Sequence, residues 1–358
     1  MLPFNATRYQ HRALNSLSFG HFSRAYSTPG GSPSTAKLVA EIRKLTTVSI
    51  SKARDALAAS NNDVKAALQW IDNDSASSGA KKAAKVAGRP TSEGVICTSL
   101  LSNGNMKPGM DGRPTGRLTA SMIELNCETD FVARNQLFGQ LAADIAYTAT
   151  FIVDDTKALF REWEMDQIQS APLISSSPDQ PFLASSPVSV ADAIRDTIAK
   201  VGENISLRRV VTVGHSATSL EEPSFGLRLA SYTHGAANPE FPTQGRIGTL
   251  AMLALKSHKL PQFLKNPEFL EELEVLERSI AKQIVGFPTL SVKEGEEDDT
   301  VLYKQEFLML RGKYNGLPVQ QALRAWATEQ GLITEQEMGG VEVLEFFKWT
   351  VGESQGDA

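Results

Sequence analysis

Between Leu118 and Ala149 the apolar pattern changes period once, with almost no loop at the change. Leu118 to Cys127 reads as a strand. Beyond Phe131, apolar side chains recur at Val132, Leu137, Leu141, Ile145 and Ala149, which is helical spacing. The stretch therefore demands a sheet with a helix lying on it. Thr129 and Asp130 sit at the corner where strand becomes helix. A threonine hydroxyl caps a free amide of the first turn well, and an acid in that turn meets the positive end of the helix dipole. Phe131 has no such local reason. An aromatic beside an acid at a corner either packs inward or stands out as a wedge for another protein, since aromatics are frequent interface anchors.

Composition excludes several classes. A chain of 358 residues, 41% hydrophobic and 22% charged, has room for two or three domains. A formal charge of -5 argues against a generally basic, phosphate-binding surface, so no direct nucleic-acid partner is expected. No apolar run approaches the roughly 18 residues of a membrane span, so no membrane association is expected either. Cys97 and Cys127 are too few for a disulfide scaffold or a cysteine-only zinc site, and both fall in expected strands as buried, reduced thiols. The G-x-x-x-x-G-K-[ST], H-E-x-x-H and G-x-S-x-G patterns are absent. His215, His234 and His258 lack metal-ligand spacing, and Ser49-Ile50-Ser51-Lys52 imitates a serine-hydrolase motif without its companions. Covalent catalysis, a cofactor and a bound metal are thus not expected.

Residues 1–26 carry Arg8, Arg12 and Arg24 among Ser, Asn and scattered apolar residues, and the first acid of the chain is Glu41. That is the composition of a mitochondrial transit peptide. Arg24-Ala25-Tyr26-Ser27 resembles a matrix-protease site, with the cut between Tyr26 and Ser27. Such a cut leaves 33 basic against 41 acidic residues, a formal charge of -8.

After a Pro/Gly/Ser linker over 27–35, residues 36–73 hold three short apolar-periodic segments. Leu38, Val39, Ile42 and Leu45 mark the first helix, Ile50, Ala53, Ala56 and Leu57 the second, and Val64, Ala67, Leu68 and Ile71 the third, capped from Asn61-Asn62-Asp63. This is a small bundle of the ubiquitin-associated type. Asp72 to Ala80 reads as a small-residue linker. The remainder divides into two related αβ subdomains with antiparallel sheets, 81–214 and 215–358, giving an α+β fold. Insertions are expected at 102–117 and 154–187, the second with a short helix around Leu159, Phe160 and Trp163. Ala191 to Val201 forms an amphipathic helix ended by Gly202, and Ile205 to Val213 a strand. Further strands run from Phe225 to Thr233, from Gly245, and from Val341 to Gly352; helices are expected over Pro267 to Val285, Val301 to Leu310 and Leu317 to Gln330.

Three segments carry a resemblance to a known family. They are Thr129-Asp130-Phe131-Val132-Ala133-Arg134-Asn135 after Leu125-Asn126-Cys127, then Ile198-Ala199-Lys200-Val201-Gly202-Glu203-Asn204-Ile205 with Leu207-Arg208-Arg209, and Tyr232 and His234 with Gly245-Arg246-Ile247-Gly248. Together they resemble elongation factor Ts, the nucleotide exchange factor for the translational GTPase elongation factor Tu, in its mitochondrial type. The likeness covers about residues 36 to 355. It implies a partner, mitochondrial elongation factor Tu, whose GDP release the chain promotes in the matrix. It also implies contacts: Asp130 and Phe131, with Thr129 and Val132, enter between helices of the GTPase near its magnesium site, while Arg54, Val201, Gly202 and His234 hold it. The plainer readings are a solvated helix face for Arg54 and a helix-ending glycine for Gly202. The alternative function is an adaptor working through the three-helix domain. Lys256-Ser257-His258-Lys259-Leu260 departs from the family's histidine- and alanine-rich helix, and the region before Val301 is unlike the bacterial helical hairpin, which puts dimerisation through that hairpin in question.

Overall fold

The computed structural model describes residues 34–46, 48–104, 116–152, 158–177, 188–216, 224–294 and 298–353. The expected presequence, most of the 102–117 insertion and both ends of the 154–187 insertion lie outside the described residues. Contacts divide the chain into two compact units, one ending at Ile71 and one beginning at Asp72.

The first unit holds α1 (Thr35–Leu45), α2 (Ile50–Ala59) and the start of α3 (Val64–Val86) around Leu38, Val39, Ile42, Ala53, Ala56, Leu57, Ala67 and Ile71. Ser49 caps α2 by accepting from the Lys52 amide, and the Asp63 carboxylate accepts from Lys65 and Ala66 at 2.8 and 3.1 Å. Between them Asn61 and Asn62 take the left-handed conformation that asparagine tolerates. One expectation is overturned: Asp72 to Ala80 is helical, part of the continuous α3. Small residues suggested a linker, but no proline interrupts them, and the stretch is carried between the apolar turns from Val64 and the alanine- and lysine-rich turns of 80–86.

In the second unit the chain proceeds through β1 (Glu93–Asn103), β2 (Arg117–Cys127), α4 (Asp130–Ala133), α5 (Gln136–Ala149), β3 (Arg161–Glu162), α6 (Met165–Gln169), α7 (Val190–Val201) and β4 (Ile205–Ser216). It continues with β5 (Phe225–His234), β6 (Gln244–Gly245), β7 (Ile247–Lys256), α8 (Leu260–Phe263), α9 (Pro267–Gly286), α10 (Val319–Glu329) and β8 (Gly340–Thr350). Two antiparallel sheets result, ordered β3-β4-β2-β1-β6 and β5-β7-β8. The fold is α+β, as expected. The second half of the sequence lends β6 to the first sheet, where Gln244 pairs with Cys97.

Period-two alternation on β2 explains the layering. Ile123, Leu125 and Cys127 face a core shared with α5 and α7, whereas Leu118, Ala120 and Met122 face Leu229, Leu250, Met252 and Trp349 of the other sheet. A strand buried on both faces belongs at the centre of a sheet, and β2 lies between β1 and β4. The other face of β5-β7-β8 packs on α9 and α10 through Leu273, Leu276, Ile280, Leu323 and Trp326. A buried ion pair ties α9 to β5: Arg228 Nε lies 2.6 Å from Glu277 Oε1, with both side chains almost fully enclosed. Burial pushes the Glu277 carboxyl up to about 7 against the pull of Arg228.

Three further expectations are corrected. Val301 to Leu310 forms turns rather than a helix; Val301, Leu302, Phe307 and Leu310 are all buried, and the buried Gln283 side chain satisfies the Glu306 carbonyl and the Leu308 amide there. Leu159, Phe160 and Trp163 flank the short strand β3, with the indole donating to Thr212 Oγ1 at 2.8 Å. The helix expected from Phe131 is two helices, because Asn135 turns its side chain onto the Leu137 amide at 2.8 Å and starts α5 afresh.

Candidate functional site

The corner between β2 and α4 is held by side chains from a second turn, the one joining α7 to β4. Thr129 is extended, at φ -128°, and its hydroxyl accepts from the Val132 amide at 3.4 Å. The same hydroxyl donates to Glu203 Oε1 at 2.7 Å, and the Thr129 amide donates to Glu203 Oε2 at 3.0 Å. In the reverse direction Glu128 Oε1 accepts from the Asn204 amide at 2.6 Å, and Asn204 Nδ2 donates to the Arg89 carbonyl at 2.9 Å. The two turns thus exchange carboxylates. Beneath them the buried Cys127 thiol donates to the Thr129 carbonyl, and burial pushes its pKa up to about 12, so the thiol stays protonated.

Above this frame Phe131 is 80% exposed, while the next two residues, Val132 and Ala133, are buried in the core. Of the two readings of Phe131 the structure shows the outward one. Val132 anchors the corner from below. Asp130 is partly exposed and pairs with Arg134 at 2.9 Å one turn on. Among exposed groups such a pair contributes only about 0.2–1 kcal/mol, so another charged group competes with it easily.

Val201 packs partly against the same core, and Gly202 follows in the left-handed region at φ 81°, its amide donating to the Ile198 carbonyl at 2.8 Å. A side chain at Gly202 meets no atom within 4 Å, so the glycine answers a backbone need rather than a crowded one. His234 is exposed at the end of β5, its ring 6.4 Å from that of Tyr232. The loop after it folds onto α5. Asn238 Nδ2 donates to the Arg134 carbonyl, Gln244 Nε2 donates to the Gly139 carbonyl at 2.7 Å, and the Phe241 ring covers Gly139. Thr129 to Val132, Val201-Gly202 and the loop from His234 are therefore stitched together. Arg54 is exposed on α2 of the first unit.

Sequence reasoning gave no role to Glu203, Glu128, Asn204 or Phe241. Glu203 and Asn204 lie within the segment Ile198 to Ile205, beside Gly202, where an acid followed by an amide at a helix-to-strand turn is the available signal. Buried Glu124 was missed too. Its carboxylate meets Arg208 at 3.2 Å, Arg209 at 2.7 Å, Asn126 Nδ2 at 3.0 Å and the Gly352 amide at 2.9 Å. A β-bulge in the β2-β4 pairing lets both arginines reach it, since Glu124 pairs with Arg209 and Leu125 with Leu207, leaving Arg208 as the extra residue. Among the described residues no group of three or more His, Cys, Asp or Glu is placed to hold a metal ion.

Residues 128–318 match the family described as Elongation factor TS. The chain is 51% identical over 331 residues to Elongation factor Ts, mitochondrial, of Coprinopsis cinerea, covering 92% of this chain and 95% of that one. The chain belongs to the elongation factor Ts family. It is 48% identical to the Laccaria bicolor protein of the same name over 92% of this chain and 95% of that one, and 42% identical to Elongation factor Ts, mitochondrial 2, of Postia placenta over 92% and 96%. It is a member of the mitochondrial type, and it is mitochondrial. The elongation factor Ts match begins at Glu128, so the corner opens the matched region.

Proposed function

We propose that the chain promotes GDP release from mitochondrial elongation factor Tu during translation elongation, without covalent chemistry, by presenting Phe131 and Asp130 as a wedge. The observation that carries this is an 80% exposed phenylalanine on a corner whose other apolar residues are buried. Leaving such a ring in water gains nothing for the isolated fold. Burying it in a partner is worth about 1.5–3 kcal/mol. Each tenfold acceleration of release needs about 1.4 kcal/mol of preference for the opened GTPase, so the ring supplies roughly one to two factors of ten. Magnesium bridges the phosphates and demands strict geometry, so a small displacement of the helices around it weakens the nucleotide strongly. Linkage requires the converse: nucleotide loosens the factor. Val201-Gly202, His234 and Arg54 serve as holding contacts.

The test is release of a fluorescent GDP from mitochondrial elongation factor Tu, chased with unlabelled GDP, with and without the chain from Ser27 onward. Phe131→Ala is expected to slow stimulated release about 10- to 100-fold. Its melting temperature should stay near that of the wild type, because the ring touches little in the free protein. Normal exchange by Phe131→Ala sinks the wedge; no stimulation by folded wild-type protein returns the adaptor reading.

A further inference from the structure

We infer that Glu203 is a positioning residue for the wedge: through Thr129 it fixes the direction in which Phe131 leaves the surface, and so joins the Val201-Gly202 contact and the Asp130-Phe131 contact into one rigid unit. The inference rests on the exchange reading above. Phe131 has no inward anchor of its own, so its direction is set by the backbone of Thr129 to Val132. The local cap is weak there, because the Thr129 hydroxyl lies 3.4 Å from the Val132 amide, beyond the usual range for such a bond. The carboxylate of Glu203 is the stronger hold. Its two oxygens take the hydroxyl at 2.7 Å and the amide at 3.0 Å of the same residue. Two charge-assisted bonds to one residue fix rotation as well as position. Gly202, at φ 81°, is the turn that immediately precedes Glu203. Glu128 and Asn204 make the reciprocal bond at 2.6 Å, so neither turn slides along the other.

The consequence concerns where a defect shows. A GTPase docked on Val201-Gly202 meets the ring at a fixed height and angle. If the corner is loose, docking survives but insertion carries an added ordering cost, which appears in the rate of opening.

The experiment titrates the factor against mitochondrial elongation factor Tu loaded with fluorescent GDP and reads both the maximal release rate and the half-saturating concentration. The set is wild type, Glu203→Ala, Glu203→Gln, Phe131→Ala and the double variant Phe131→Ala/Glu203→Ala. Glu203→Ala is expected to lower the maximal rate about tenfold, the scale of a lost hydrogen bond to a charged group, with little change in half-saturation. Glu203→Gln keeps one acceptor oxygen and should fall between. The double variant should match Phe131→Ala, since with no ring there is nothing left to position. A general structural defect behaves differently: it raises the half-saturating concentration and multiplies the Phe131→Ala defect, and that result overturns the inference. So does a normal maximal rate in Glu203→Ala beside a slow Phe131→Ala. A normal Phe131→Ala instead removes the wedge reading itself, a separate arm of the same data. Should Glu203→Ala fail to fold, Glu203→Gln alone and combined with Phe131→Ala decides by the same criteria.

Discussion

At the scale of single residues the corner separates groups that hold the fold from groups the fold presents. Val132 and Phe131 are neighbours in sequence, yet one is buried and the other stands in water. Gly202 is a third kind of residue, needed for its backbone alone. Its left-handed conformation meets no neighbour that a methyl group would strike. Gly202→Ala is therefore expected to cost about 1–2 kcal/mol from conformation only, and Gly202→Asn less, as read by urea unfolding. The sequence marks Gly202 as a helix-ending glycine and, through the family resemblance, as a contact together with Val201; the structure shows the first of these roles. The sequence did not show Glu203, whose partner Thr129 lies far away in the chain.

Among elements, the loop after His234 makes its own turn, the Asn238 side chain accepting from the Glu240 amide at 3.0 Å, and is set in place by contacts with α5 and β1. Phe241 lies where a side chain on residue 139 would have to be: a Cβ added to Gly139 falls 2.4 Å from its ring. Gly139→Ala should destabilise by about 1–3 kcal/mol through overpacking. Combining it with Phe241→Ala should recover part of that loss, a non-additivity read from a double-mutant cycle in urea. The same scale explains the errors of the sequence reading. Val301 to Leu310 has enough apolar residues for a helix, but its backbone bonds instead to segments distant in the chain, Leu302 and Tyr303 to Ser291 and Val292 and Phe307 to Leu317, with the Gln283 amide meeting Glu306 and Leu308. Leu159, Phe160 and Trp163 read as a short helix, whereas the pairing of Arg161 and Glu162 along β4 and the Trp163 bond to Thr212 depend on residues about fifty positions on.

For the second unit as a whole, the buried Glu124 cluster joins β2 and β4 to the chain beyond β8. Arg209 also reaches Glu353 at 2.6 Å, and the Gly352 amide bonds to Glu124, so the chain leaving β8 is tied to the first sheet. Breaking one member of such a cluster leaves buried charge without compensation. Glu124→Gln is expected to cost about 3 kcal/mol in urea unfolding, and to increase protease sensitivity after β8. An equal loss from Glu353→Ala would show that the tie, rather than the buried charge, carries the effect. The corner bearing Phe131 sits at the end of the strand that carries Glu124, so stability of the sheet and presentation of Phe131 share one element.

By itself the sequence determined what depends on neighbours in the chain. The three-helix bundle, the strand-to-helix corner, the Gly202 helix end and the α+β class all follow from periodicity, caps and short-range backbone preference, which act within a few residues. Tertiary structure alone decided the rest: that β6 crosses to the first sheet, that Phe131 faces out while Val132 faces in, and that Glu203 and Glu124 are held by residues distant in sequence. Long-range pairing is settled by burial and by the need to satisfy each buried polar group, and neither is written in any local pattern.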